Sequence, residues 1–242
     1  MKKKALIVYG GWEGHEPKDV AEIFKEKLEN KDFDVEMSDT LDAYADVEKL
    51  KALDLIVPHW TMGEIEQKYV NNISAAVMSG VGLAGCHGGM CDSFRKNVDW
   101  QFITGGNWVA HPGNDGVEYT VNIKHSSSRV LEGIEDFKVV SEQYYLHVDP
   151  AVEVLATTRF PVIKGPHTLN KTVDMPVVWT KRWGLGRVFY NSLGHSANIV
   201  AMPEVSQIMR NGFLWSAEGK KLAGEVISTG NGNIYTGMGD NQ

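Results

Sequence analysis

The feature that most constrains this chain is the run Lys4-Ala-Leu-Ile-Val-Tyr-Gly-Gly11, a continuous apolar segment closed by two glycines. A strand with one wet face would alternate polar and apolar residues. An unbroken apolar run reads instead as a strand covered on both faces, and such strands belong to parallel sheets flanked by helices. The residues that follow fit that reading. After the loop Gly11-Trp-Glu-Gly-His-Glu16, Pro17 suits the first position of a helix, and Val20, Ile23, Phe24 and Leu28 recur at helical spacing. Asp34 to Met37 reads as a second strand, Asp46 to Ala52 as a short helix and Asp54 to His59 as a third strand. Glu64 to Met78 reads as a helix and Val81 to Cys86 as the next strand. This alternation predicts an α/β fold with a doubly wound, mainly parallel sheet between two helical layers.

From about Asn107 the pattern turns β-rich. Glu118 to Ile123, Phe137 to Tyr145 and Val152 to Thr157 read as strands with few helices between them. Two more, Val177 to Thr180 and Arg187 to Ser192, flank the turn Trp183-Gly-Leu-Gly186, and Pro203 to Ser216 closes the fold as an amphipathic helix. One domain over residues 1–218 is expected, with residues 219–242, rich in Gly, Asn and Ser, as a tail or docking extension. The net charge of −7 argues against a nucleic-acid or anionic-membrane partner, because phosphates need a surplus of Lys and Arg. No stretch approaches the roughly 20 apolar residues that span a bilayer, and the apolar run after Met1-Lys-Lys-Lys4 is too short for a secretion signal. Cys86 and Cys91 have no second pair to complete a zinc knuckle or disulfide framework, so a reducing cytoplasm is the expected location. A small molecule is the expected partner; an edge strand or the tail is where a homo-oligomer would form.

In an open parallel sheet, ligands bind outside the carboxyl ends of the strands. His15 follows the first strand, His59 the third, His87 the fourth and His195 the late strand Arg187 to Ser192. Any one of them reads equally well as a loop or core histidine; their shared edge is the stronger signal. Around His87 the sequence Gly85-Cys-His-Gly-Gly89 has the spacing of a nucleophile elbow, in which small neighbours let the central side chain stand exposed at a helix N-terminus. The central residue here is an imidazole, which cannot form a glutamyl thioester, and Cys86 should point away as a small buried group.

Taken in order, several pieces resemble the ThuA-like (trehalose utilisation) family, a variant of the class I glutamine amidotransferase fold. They are Gly10-Gly-Trp-Glu-Gly-His15, Gly85-Cys-His-Gly-Gly89 with Phe94 and Trp100 behind it, and Gly105-Gly-Asn-Trp-Val-Ala-His111-Pro112. Further on come Ser141-Glu142-Gln-Tyr144-Tyr145, Pro176-Val-Val-Trp179, and Gly186-Arg-Val-Phe-Tyr190 leading into Leu193-Gly194-His195. The resemblance covers about residues 3 to 217 and implies a flavodoxin-like three-layer sandwich. It also implies a carbohydrate ligand, and it sets His195 where related enzymes carry the histidine that activates the elbow residue.

On that reading His87, His195 and Glu142 are the catalytic candidates, as acid and base or as ligands of a divalent metal such as zinc. His15, His87 and His195 are the candidate metal ligands, although no short-range metal motif is present. Glu142 reads otherwise as a strand-end carboxylate paired with Arg or Lys. Trp12, His15, His59, Trp60, His111, Tyr144 and His147 are the candidate substrate contacts, the indoles because sugar C–H groups pack on flat apolar faces. His147 and Asp149 read equally well as turn residues before Pro150. The function expected is an enzyme of trehalose or related disaccharide utilisation, its substrate a trehalose-type sugar or a keto-sugar derivative, without glutaminase activity. The alternative is a sugar-binding or regulatory protein that performs no chemistry.

Overall fold

A computed structural model describes residues 2–124 and 128–228. The first half runs β1 (Lys3–Gly11), α1 (Pro17–Glu29), β2 (Phe33–Ser38), α2 (Val47–Lys51), β3 (Leu55–Thr61), α3 (Gln67–Met78), β4 (Gly82–Cys86), α4 (Gly88–Cys91) and α5 (Val98–Thr104). The second half runs β5 (Gly106–Ala110), β6 (Val117–Ile123), β7 (Phe137–Ser141), β8 (Tyr145–Val148), β9 (Glu153–Phe160), β10 (Val173–Trp183) and β11 (Gly186–Asn191). It ends with α6 (Ala197–Ala201), α7 (Pro203–Ala217) and α8 (Gly219–Ser228).

One nine-stranded sheet has the order β2-β1-β3-β4-β11-β10-β9-β6-β7. Its β2, β1, β3, β4 and β11 pair in parallel, and β10, β9, β6 and β7 extend it antiparallel. β1, β3, β4 and β11 are buried on both faces over their apolar runs, whereas β2 at the edge is partly exposed. In β1, Ala5 and Ile7 enter one core with Val20, Phe24 and Leu28 of α1 and Ile208 and Phe213 of α7. Leu6 and Val8 enter the other, with Val70, Ile73 and Val77 of α3 and Trp100 of α5. The result is the expected three-layer α/β sandwich.

The strand expected over Phe137 to Tyr145 is two strands. β7 stays paired to β6 through Ser141↔Val117, whereas Tyr145 begins β8, which pairs with β5 in a separate two-stranded sheet. The chain leaves one sheet for the other over Glu142-Gln-Tyr144. The Gln143 side chain fixes the crossing by donating to Thr158 Oγ1 at 2.8 Å and to the Arg159 carbonyl at 3.1 Å. Residues 219–228 of the expected tail are helical, with Ala223 of α8 buried against Gly80. The remainder of that segment, residues 229–242, lies outside the described residues.

Candidate active site

The parallel register aligns strand ends so that the side chains that follow them converge. Gly11 of β1 lies opposite Thr61 of β3, and Cys86 of β4 opposite Asn191 of β11. His15 ends the short 3₁₀ turn Glu13–His15 after β1, His87 caps α4 after β4, and His195 follows β11. Glu142 arrives from the crossing between β7 and β8.

His87 has φ 47° and ψ −138°, a backbone conformation that non-glycine residues rarely adopt. The surroundings hold it there: its N–H donates to the Asn191 carbonyl at 2.7 Å, its carbonyl accepts from the Tyr190 hydroxyl at 3.1 Å, and its ring stacks on Tyr144 with centroids 3.9 Å apart. Gly88 and Gly89 allow the close approach beside it. A Cβ on Gly88 would lie 2.5 Å from His15 Cε1, and one on Gly89 2.8 Å from His59 Cα.

Glu142 is the centre of the cluster. One of its oxygens, Oε2, lies 3.1 Å from His87 Nε2, 3.4 Å from His195 Nδ1 and 3.9 Å from His15 Nε2; Oε1 lies 3.4 Å from His111 Nδ1. Burial pushes the Glu142 carboxyl up, but the imidazoles of His15, His195 and His87 outweigh it and hold the group well below the usual carboxylate range. The same carboxylate raises His195. His87 goes the other way, lowered to about 4, because complete burial outweighs its contact with Glu142. The site therefore pairs an ionised carboxylate with a neutral imidazole.

The ligand atoms of His15, His87, Glu142 and His195 all lie within 4.8 Å of one another. His111 and Trp12 stand at the rim. Trp12 is 46% exposed and its ring edge meets His15 at 4.8 Å between centroids; His111 tilts against Trp108 at 5.4 Å.

Three expected contacts are not part of this wall. His59 is buried beneath the site against Phe24, where burial lowers it to about 3. Trp60 lies within β3, and its indole packs over Gly10. His147 is exposed on β8, because strand alternation turns its neighbour Leu146 inward instead. Asp149 beside it is structural: it accepts from the Ala151 N–H at 2.9 Å and pairs with Lys181 Nζ at 2.6 Å.

The sequence reading missed Thr61, whose Oγ1 lies 2.9 Å from His15 Nδ1, and Ser192, whose carbonyl oxygen lies 2.7 Å from His87 Nδ1. It also missed Asp115, with Oδ2 3.9 Å from His195 Nε2, and the Asp92–Arg95 pair, whose guanidinium lies 4.2 Å from the Trp108 ring centroid. Asp115 sits in Gly113-Asn-Asp-Gly116, a turn signal that could have drawn attention to it. Cys86 is fully buried among the core residues of α1 and α7, and burial pushes its thiol far up.

The fold is shared with solved structures. A ThuA-like protein from Parabacteroides merdae is 17% identical with a TM-score of 0.71, the match covering 91% of each chain. One from Bacteroides uniformis is 19% identical with a TM-score of 0.70, covering 88% of this chain and 91% of that one. A glutamine amidotransferase from Thermotoga maritima is 12% identical with a TM-score of 0.53, covering 94% and 96%. At these identities the likeness speaks to fold alone. No curated protein matches the sequence. The sequence does match the ThuA family, described as trehalose utilisation, over residues 4–216, and the chain belongs to that family.

Proposed function

We propose that the chain is an enzyme of carbohydrate utilisation whose reacting groups are His87, His195 and Glu142. The observation that carries this reading is the buried carboxylate with four imidazole nitrogens within 3.9 Å. A fold needs no such arrangement, since an ionised group taken out of water is costly unless it is paired.

The family supports a trehalose-type disaccharide, or its keto derivative, as the substrate. With a ketone one carbon removed from the glycosidic carbon, a base takes the proton from the C–H that lies between them, and the resulting enolate expels the glycosidic oxygen, which takes up a proton. The cluster supplies the acid and base for these transfers, or holds a divalent cation that polarises the ketone; His87, His195 and Glu142 are needed for either. Glutamine hydrolysis is not expected, because the thiol of Cys86 is buried away from the elbow that His87 occupies. Two reduced, buried cysteines and the absence of any helix among the described residues long and apolar enough to cross a membrane agree with a cytoplasmic location.

The test is turnover of trehalose and of its 3-keto derivative, followed by chromatography of the released sugars. The expected result is loss of product in both His87→Ala and His195→Ala. Undiminished turnover in both would sink the assignment. Saturable sugar binding with no product from either sugar would favour a binding protein instead.

A further inference from the structure

We infer that His15 Nε2, His87 Nε2, His195 Nδ1 and a carboxylate oxygen of Glu142 together bind one divalent first-row transition-metal ion. The inference concerns the same pocket as the proposed carbohydrate chemistry, but it rests on the hydrogen bonds of the imidazoles rather than on any substrate.

The first argument is the direction of the lone pairs. A carbonyl oxygen can only accept, so the 2.7 Å contact between His87 Nδ1 and the Ser192 carbonyl puts the ring proton on Nδ1. Nε2 is left facing Glu142 Oε2 at 3.1 Å, the same oxygen that His195 Nδ1 and His15 Nε2 face. His195 Nδ1 is also buried with no hydrogen-bond partner, although it lies 3.4 Å from the same oxygen. A cation among these atoms gives all three nitrogens and the carboxylate one shared partner.

The second argument is the outer contacts. A metal-bound imidazole characteristically hands its other nitrogen to a carbonyl, hydroxyl or carboxylate that fixes its orientation. Two of the three histidines do so here: His87 Nδ1 faces the Ser192 carbonyl at 2.7 Å and His15 Nδ1 lies 2.9 Å from Thr61 Oγ1, while His195 Nε2 stands 3.9 Å from Asp115 Oδ2, beyond hydrogen-bond reach. Four separate segments of chain deliver the ligands and two more atoms hold the rings.

The third is size. Metal–nitrogen bonds of about 2.1 Å put tetrahedral donors about 3.4 Å apart, and octahedral ones about 3.0 Å apart when adjacent and 4.2 Å when opposite. The distances from Glu142 Oε2 run from 3.1 to 3.9 Å, and no pair in the set exceeds 4.8 Å. Three imidazoles and one carboxylate suit zinc, manganese, iron or cobalt rather than calcium or magnesium, which take all-oxygen shells. His111, 3.4 Å from the other oxygen of Glu142, lies outside the set.

The experiment uses the full, tag-free chain, stripped with chelator, dialysed, and titrated with Zn²⁺ and separately with Co²⁺. Metal content is read by plasma mass spectrometry, affinity by calorimetry, and ligand geometry by the visible absorption of the cobalt form. The expected result is one equivalent per chain, lost in His87→Ala and Glu142→Ala and retained in His147→Ala. Thr61→Val, which leaves every ligand in place and removes the hydroxyl at His15 Nδ1, should weaken Zn²⁺ binding about tenfold, at the lower end of the effect of outer-contact mutations. Less than a tenth of an equivalent in folded wild type after both titrations would overturn the inference, as would an unchanged cobalt spectrum in the two ligand variants. A metal-free protein that still turns over sugar removes the metal and keeps the enzyme; a metal-loaded protein inert toward sugars does the reverse.

Discussion

At the scale of single residues, His87 shows how the chain spends stability on chemistry. Its φ of 47° with ψ −138° lies where a Cβ is crowded, a conformation worth roughly 1–3 kcal/mol of strain. Removing the ring two ways separates strain from function. His87→Gly and His87→Ala should both be inactive, yet the glycine variant should be the more stable by about 1 kcal/mol, because only it relaxes at this φ. In a chain of this size that corresponds to a melting temperature about 2–4 °C higher, readable by scanning calorimetry. The opposite order would mean the backbone is not strained there. Gly88 offers a second residue-level test, since an added Cβ meets the edge of the His15 ring at 2.5 Å and not a backbone atom. Gly88→Ala should therefore lower turnover by at least tenfold through displacement of His15 while leaving the fold intact, a split seen by comparing kcat with the far-ultraviolet dichroism.

At the scale of elements, the parallel half was legible because burial on both faces writes itself as an uninterrupted apolar run. β1, β3 and β4 are where Ala5 to Val8, Leu55 to Val57 and Leu83 to Cys86 imply, and His15, His87 and His195 follow their strands as expected. The antiparallel half was less legible. Phe137 to Tyr145 contains no glycine or proline to mark the break at Glu142, which is imposed by distant partners, Val117 for β7 and Ala110 for β8. His147 failed for the same reason, since which face of β8 points outward depends on a pairing the sequence does not print. Hydrogen bonds across 46 residues, as between His15 and Thr61, leave no local signal at all. Asp149 follows β8 and ties it to β10 through Lys181, whose ammonium is nearly buried and also donates to the Phe102 carbonyl. The Lys181 hydrogen bond holds the Asp149 carboxyl below its ordinary value. A carboxyl depressed in the folded state stabilises above its unfolded pKa, near 4, and loses that contribution as pH falls through the lower folded value. Asp149→Asn should therefore unfold at lower urea than wild type at pH 7, by about 1–3 kcal/mol, with the difference shrinking below pH 4. A difference independent of pH would assign the loss to packing.

At the scale of the molecule, the fold separates the site from what braces it. Glu142 and the histidines gather at the carboxyl ends of β1, β4 and β11, whereas α8 packs at the opposite ends, by Gly80 before β4 and Arg187 at the start of β11. Glu218, between α7 and α8, pairs with both Arg129 and Arg187, and Lys220 of α8 donates to the Lys51 carbonyl at the end of α2. The helix thus touches the sheet and both helical layers without approaching the cluster. Ending the chain after residue 218, where the domain boundary is proposed, removes the burial of Ala223 and the Lys220 contact but neither arginine pair. The shortened chain should lose about 1–3 kcal/mol in urea unfolding, the scale of a small apolar contact and a hydrogen bond. Its turnover and its metal content should stay within twofold of the full chain, because every ligand and every atom that orients one precedes residue 196. A stable but inactive product would place residues 219–242 in the working site, and the separation of chemistry from bracing would have to be abandoned.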